Sequence, residues 1–214
     1  DRVDDVWYRF FKYALFRPGV RLLMHPELVD ERNIPAAGPA VLASNHLDAG
    51  DTFTLPALMR RRLIWPAKKE LFEGKGLRMR IVARFLRAVG MVPLDRSGGR
   101  ASVDAMGPVE AELAAGNLIG IFPEGTRSKT GELKKPEAGV ALIAAMTGAP
   151  IVPVAILNTH RIFANGGKIP ALRIMYGAPI SFQGDRKSKE SLDAFSNEIM
   201  ARIAAMRDDL KSMS

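Results

Sequence analysis

The chain has 214 residues, 47% hydrophobic and 25% charged, enough apolar mass for one globular domain with a substantial core. It has no cysteine, which excludes disulfide frameworks and thiol catalysis, and its three histidines, His25, His46 and His160, show no zinc-site spacing. The net charge of +8 is regional: residues 60–100 carry twelve Lys and Arg against three Asp and Glu, so an anionic partner is expected on one part of the surface.

Near the start, Val3, Val6, Trp7, Phe10, Phe11 and Ala14 recur at i, i+3, i+4, i+7, i+8 and i+11, while Asp5, Arg9 and Lys12 fall on the opposite side. This spacing predicts an amphipathic helix in an N-terminal segment, residues 1–24, ahead of a main domain at residues 25–214. Its apolar face either docks on the protein's own core or enters a lipid interface. In the second case Trp7, Phe10, Phe11 and Phe16 meet lipid, and Arg9, Lys12 and Arg17 meet headgroups. Pro18-Gly19 is expected to break the helix. No run approaches the roughly 20 apolar residues of a spanning helix, and the start lacks the order of a secretory signal.

Apolar, β-rich runs at residues 40–44, 63–67, 89–94, 118–122, 151–156 and 172–176 predict strands. Helical patterns lie among them at residues 55–61, 77–88, 102–115, 137–147 and 188–210. The alternation implies an α/β fold, a single domain with a mixed, largely parallel central sheet flanked by helices. Ligands of such sheets gather where strand carboxyl ends meet the following loops. In the helix at 77–88, Arg80, Arg84 and Arg87 share one arc, and Ile81, Val82, Phe85 and Leu86 form an apolar surface. That surface suits either packing on the sheet or a membrane-facing element.

Two segments at strand ends carry candidate chemistry. In residues 45–51, Asn-His-Leu-Asp-Ala-Gly-Asp, His46 precedes Asp51 by five positions. Histidine is suited to proton abstraction near neutral pH, and a carboxylate fixes its tautomer. Pro56 argues against a helix that begins at Asp51, because its missing N–H forfeits a backbone bond at that depth. A helix capped by Thr54 leaves His46 and Asp51 on a loop, with Gly50 supplying the freedom to fold back and Asp48 as a rival partner. In residues 122–127, Phe-Pro-Glu-Gly-Thr-Arg, Pro123 halts a strand, Gly125 permits a left-handed backbone, and Arg127 offers a fork of donors for a phosphate. An ordinary turn with Glu124 paired to Arg127 is the alternative.

These blocks resemble the glycerophospholipid acyltransferase family, most closely the 1-acylglycerol-3-phosphate acyltransferases, over most of residues 40–155. The family's H-x-x-x-x-D block matches His46 and Asp51, its second block resembles Gly90 through Arg96, and its F-P-E-G-T-R-S block matches Phe122 through Ser128. A strand with a central proline resembles residues 151–155, and residues 67–71 look like the basic stretch between the first two blocks. The resemblance implies His46 as general base and Asp51 as its orienting carboxylate. It places Arg96, Glu124, Gly125, Thr126 and Arg127 at the acceptor phosphate, with Lys68 as a further contact.

The resemblance further implies acyl-CoA or acyl-ACP as donor, a lysophospholipid acylated on its sn-2 hydroxyl to phosphatidic acid, no covalent enzyme intermediate, and no metal or other cofactor. A peripheral or monotopic site on the cytoplasmic face of the cell membrane, against an anionic surface, is the expected location. No nucleic acid is expected as partner, because no recognisable motif accompanies the sequence pI of about 10.0. Acylation of another polar lipid, such as a glycolipid or an ornithine lipid, and a non-catalytic lipid-binding module remain alternatives. A hydrolase lacks support, since neither a G-x-S-x-G elbow nor a cysteine nucleophile is present.

Overall fold

A helical arm opens the chain: α1 (Arg2–Phe10) runs through a π-helical segment (Phe11–Phe16) into α2 (Arg17–Met24). There follow β1 (Glu27–Val29), β2 (Ala40–Ser44), α3 (Asp51–Leu58), β3 (Leu63–Lys68), α4 (Glu70–Glu73), α5 (Leu77–Ala88) and β4 (Met91–Leu94). The second half holds α6 (Gly107–Ala114), β5 (Leu118–Ile121), α7 (Gly139–Thr147), β6 (Ile151–Leu157), β7 (Arg173–Tyr176) and α8 (Lys189–Ser212). The structure is a computed structural model that describes residues 2–48, 50–95, 106–128, 130–159 and 171–213. Arg96, His160 and the start of the helix expected at 102–115 lie outside the described residues.

Among the described residues the strands form one sheet in the order β1-β7-β6-β2-β5-β3-β4, with β6 and β7 antiparallel and the other pairs parallel. The mixed, largely parallel sheet read from the sequence is therefore present. Its central strands are continuous apolar runs because helices cover both faces. In β2, Ala40 and Leu42 pack with Leu55, Leu58 and Ala83 on one face, while Val41 and Ala43 pack with Val109, Val140 and Ile199 on the other. The alternation follows from successive side chains pointing to opposite sides of a strand. Truncating the fully buried Leu42 to alanine would cost about 2–5 kcal/mol. β1 was not expected: three residues long, it is held by parallel pairing to β7 and by the Arg173–Glu27 ion pair at 2.7 Å.

Pro18-Gly19 does not end the arm. Pro18 falls in the first turn of α2, where a missing N–H is tolerated, and the wide π turn before it closes with Arg17 N–H on Lys12 O, five residues back.

The start of α3 also differs from expectation. The helix begins at Asp51, led by Asp51 N–H on Asp48 O at 3.1 Å and by Phe53 and Thr54 N–H on Gly50 O, both at 2.9 Å. Pro56 sits inside it and makes no backbone bond, a local loss because the helix ends at Leu58 and the proline is buried with its neighbours. Gly50 has an ordinary right-handed conformation, φ −63° and ψ −21°, so the fold-back is a helical turn and does not use a glycine's freedom.

The arm docks on the core by a side that includes Phe11 of the predicted face, while Val6, Trp7 and Phe10 of that face stay outside. Tyr8 and Lys12 are buried; Tyr8 Oη accepts Leu63 N–H at 3.2 Å, and Lys12 Nζ donates to Arg61 O at 3.3 Å. Phe11 meets Phe85 edge-on at 5.5 Å, and Phe16 stacks on Phe53 at 5.3 Å. Lys12, expected at headgroups, is thus a buried amine with the Tyr8 and Tyr13 rings 5.6 and 5.4 Å from Nζ. Burial, and then the charge of Arg17, pushes its ammonium down to about 8. Val6, Trp7, Phe10, Tyr13, Leu15, Leu22 and Leu23 stay exposed, from 43% at Trp7 to 74% at Leu22. Helical periodicity identifies an apolar face but does not say which face the protein covers.

Candidate active site

β2, β5 and β3 are parallel neighbours, so the loops that leave their carboxyl ends converge. β2 hands the chain to Asn45 and His46, β5 to Phe122, and β3 ends on Lys68. Asn45 anchors the first loop: fully buried, its Nδ2 donates to Ile156 O at 3.0 Å and its Oδ1 accepts Ile156 N–H at 2.8 Å. The side-chain amide thereby supplies one more rung beyond the Ser44–Val154 pairing of β2 with β6.

The His46 side chain is 13% exposed, and its Nδ1 lies 2.9 Å from Asp51 Oδ2. The same oxygen accepts Leu47 N–H at 2.8 Å and Asp48 N–H at 2.9 Å. Asp51 is fully buried in the first turn of α3, where the helix N-terminus favours a negative charge. Asp48, the rival partner, accepts Gly50 N–H at 2.8 Å through its own carboxylate. With Nδ1 facing a carboxylate, the assigned tautomer carries its proton there and leaves the Nε2 lone pair for a substrate.

Glu124 ties the two motif loops together. It is 4% exposed; Oε1 accepts His46 N–H at 3.0 Å and Oε2 accepts Lys134 N–H at 2.9 Å. Both oxygens are engaged by backbone donors, so Glu124 acts as a strut between the His46 loop and the Lys134 turn. Lys134 braces the same turn, its Nζ donating to Thr126 Oγ1 at 3.2 Å and to Arg127 O at 2.8 Å. Gly125 takes φ +66°, a left-handed conformation that favours glycine, and a Cβ there would also displace the Glu137 carboxylate, 2.3 Å away. Thr126 and Arg127 follow at the surface, and the Arg127 guanidinium has no ion pair among the described residues.

A cavity of about 250 Å³ opens between these loops. His46, Thr52, Lys68 and Glu137 supply its polar wall, and Leu94, Met106, Ile121, Val140 and Ile143 its apolar wall. The His46 ring stacks on Phe122, centroids 3.7 Å apart, and Phe122 stacks on Trp65 at 4.4 Å. Gly120 makes room, since a Cβ there would lie 2.7 Å from the Trp65 indole. The His46 imidazole, the Lys68 cation and an apolar compartment thus share one cleft. Reading of the sequence gave no role to Trp65, Lys134 or Glu137. Trp65 had a signal: it follows Ile64, whose partner Ile119 precedes Gly120, so a large residue stands beside a glycine on the neighbouring strand. Lys134 had none.

A family model described as acyltransferase matches residues 25–157. The chain belongs to the acyltransferase family. Its relatives include a chloroplastic 1-acyl-sn-glycerol-3-phosphate acyltransferase, LPAT1, of Arabidopsis thaliana, 30% identical over 82% of this chain and 47% of that one. The chain therefore spans about half the length of its plant chloroplast relatives. A 1-acyl-sn-glycerol-3-phosphate acyltransferase of Bacillus subtilis is 30% identical over 96% of this chain and all of that one. The acyltransferase fold is shared with the crystal structure of the 1-acyl-sn-glycerophosphate acyltransferase PlsC from Thermotoga maritima. The TM-score is 0.68 at 23% identity, covering 99% of this chain and 83% of that one.

Proposed function

We propose that this acyltransferase moves an acyl group from a thioester, acyl-CoA or acyl-ACP, to the sn-2 hydroxyl of 1-acylglycerol 3-phosphate, giving phosphatidic acid. The observation that carries the reading is His46, tied through Nδ1 to the buried Asp51 and opening on a cavity with the Lys68 cation and an apolar wall. The names of the relatives, 1-acyl-sn-glycerol-3-phosphate acyltransferases, support the acceptor.

His46 Nε2 takes the hydroxyl proton as the oxygen attacks the thioester carbonyl; the C–O bond forms, the C–S bond breaks, and the imidazolium returns the proton to the departing thiolate. Asp51 holds the Nδ1–H and stabilises the imidazolium. Lys68 and Arg127, with Arg96 from the second block, neutralise the acceptor phosphate and hold the hydroxyl near Nε2, which removes much of the entropic barrier. Arg127→Ala is expected to raise KM for the phosphorylated acceptor by about tenfold or more, the worth of a charge-assisted hydrogen bond, and to leave KM for the donor unchanged.

The exposed Trp7, Phe10, Leu22 and Leu23 of the arm support peripheral or monotopic association with an anionic cytoplasmic membrane surface. Leu77 and Ile81 of α5, exposed beside Arg78, Arg80 and Arg84, extend that face. Among the described residues no helix is long and apolar enough to cross a membrane.

Purified protein with long-chain acyl-CoA and either lysophosphatidic acid or monoacylglycerol tests the reading, with free thiol and acylated product followed together. Thiol and phosphatidic acid should appear in equal amounts. Thiol without acylated product would mean hydrolysis, equal rates with monoacylglycerol would remove the phosphate clamp, and no turnover with any lysolipid would remove the enzyme.

A further inference from the structure

The imidazole of His46 and the ring of Phe122 are nearly parallel, 8° apart with centroids separated by 3.7 Å, so the two rings stack face to face. Two neutral rings gain little from full face-to-face overlap, because both faces carry negative charge density. Phe11–Phe85 and Phe182–Phe195 meet edge-on at 83° and 79°, and Phe16–Phe53 stacks at 28° with its centroids farther apart, 5.3 Å. A protonated ring reverses the balance, since a cation over a π face is attracted to it. Trp65 backs the far side of Phe122 at 16° and is itself seated on Gly120. A stack of this geometry gains attraction whenever the imidazole carries a positive charge.

The charged groups around His46 leave room for this contribution. Asp51 shares the one oxygen that meets Nδ1 with two backbone N–H groups. Asp48 is engaged by Gly50, and Glu124 by two backbone donors. Lys68 and Glu137, of opposite charge, stand on the same cavity wall.

We propose that Phe122 is a positioning residue for the base: its ring face sets the plane of the His46 imidazole and stabilises the imidazolium that forms when the acceptor hydroxyl loses its proton. This rests on the reading of His46 as the general base. Because the attraction grows as the positive charge develops, it favours the transition state over the bound substrate.

The test follows the His46 ring by NMR titration in the full chain, its resonance identified by separate His25 and His160 substitutions, while Phe122 is replaced by phenylalanines of increasing ring fluorination. These keep the shape of the ring and drain its π face. The expected result is that His46 titrates at progressively lower pH, by about half to one pH unit across the series. The acid limb of kcat/KM should move the same way and its plateau fall severalfold, with KM for the acyl donor unchanged. Phe122→Tyr should keep both properties and Phe122→Leu lose them; if Phe122→Leu does not fold, the fluorinated series decides. A plateau that falls while the titration and the acid limb stay in place overturns the proposal and makes Phe122 a packing residue. Full activity in folded His46→Ala would sink the base reading, and the proposal with it, whatever the titration shows.

Discussion

The loops after β2 and β5 bury two carboxylates, Asp51 and Glu124, and hold each with two backbone donors. The helical arm does the reverse: it buries the amine of Lys12 and leaves Trp7, Phe10, Leu22 and Leu23 bare. In the first region water is displaced by fixed hydrogen bonds, which suits a site that must hold a proton acceptor in one orientation. In the second, apolar area is left where water would meet it, which suits a surface whose other solvent is lipid. On the proposed function, the contrast separates residues whose loss damages chemistry from those whose loss damages location.

The strongest way to break that separation is at the base. His46→Ala should lower kcat/KM by about 10²- to 10⁴-fold with unchanged thermal unfolding; near-normal turnover would end the assignment. Glu124→Ala, next in size, leaves the His46 and Lys134 N–H groups without their acceptors and should cost about 1–3 kcal/mol in urea unfolding. Unaltered stability with a raised KM for the acceptor would return Glu124 to the phosphate.

On the arm, Trp7→Ser combined with Phe10→Ser should weaken partition onto anionic vesicles by about 10- to 100-fold while Tm stays put. A lower Tm with unchanged partition would make this face a packing surface. The smallest effect is expected from Lys12→Met, a gain of about 1–3 kcal/mol at pH 7. The ammonium sits at about 8 in the fold against 10.5 ordinarily, so the native state holds fewer protons than the unfolded chain between those values. Wild-type stability therefore rises with pH through that window, and the advantage of Lys12→Met shrinks there. A constant difference from pH 8 to 10.5 would mean that the amine stays charged.

Much of the fold could be read from the sequence because parallel strands buried on both faces leave unbroken apolar runs, as residues 40–44 and 151–156 do. The conjunction of His46 with Phe122 through Arg127 could be read because both follow such runs. The start of α3 could not, since Pro56 argues locally against a helix that Asp51 and the turn at Asp48 nonetheless begin. Nor could the work of Glu124: its partners, His46 N–H and Lys134 N–H, are backbone groups that any residue would supply. Lys12 misled for a related reason, as its position on a helical wheel says nothing about the Arg61 carbonyl that receives it.

The tie between Glu124 and His46 spans 78 residues, and that between Asn45 and Ile156 spans 111. No local turn can stand in for either, so their closure entropy must be met by the sheet as a whole. A refolding chain would regain its helices long before it regained turnover, and the return of activity would time the moment at which β2, β5 and β6 come into register.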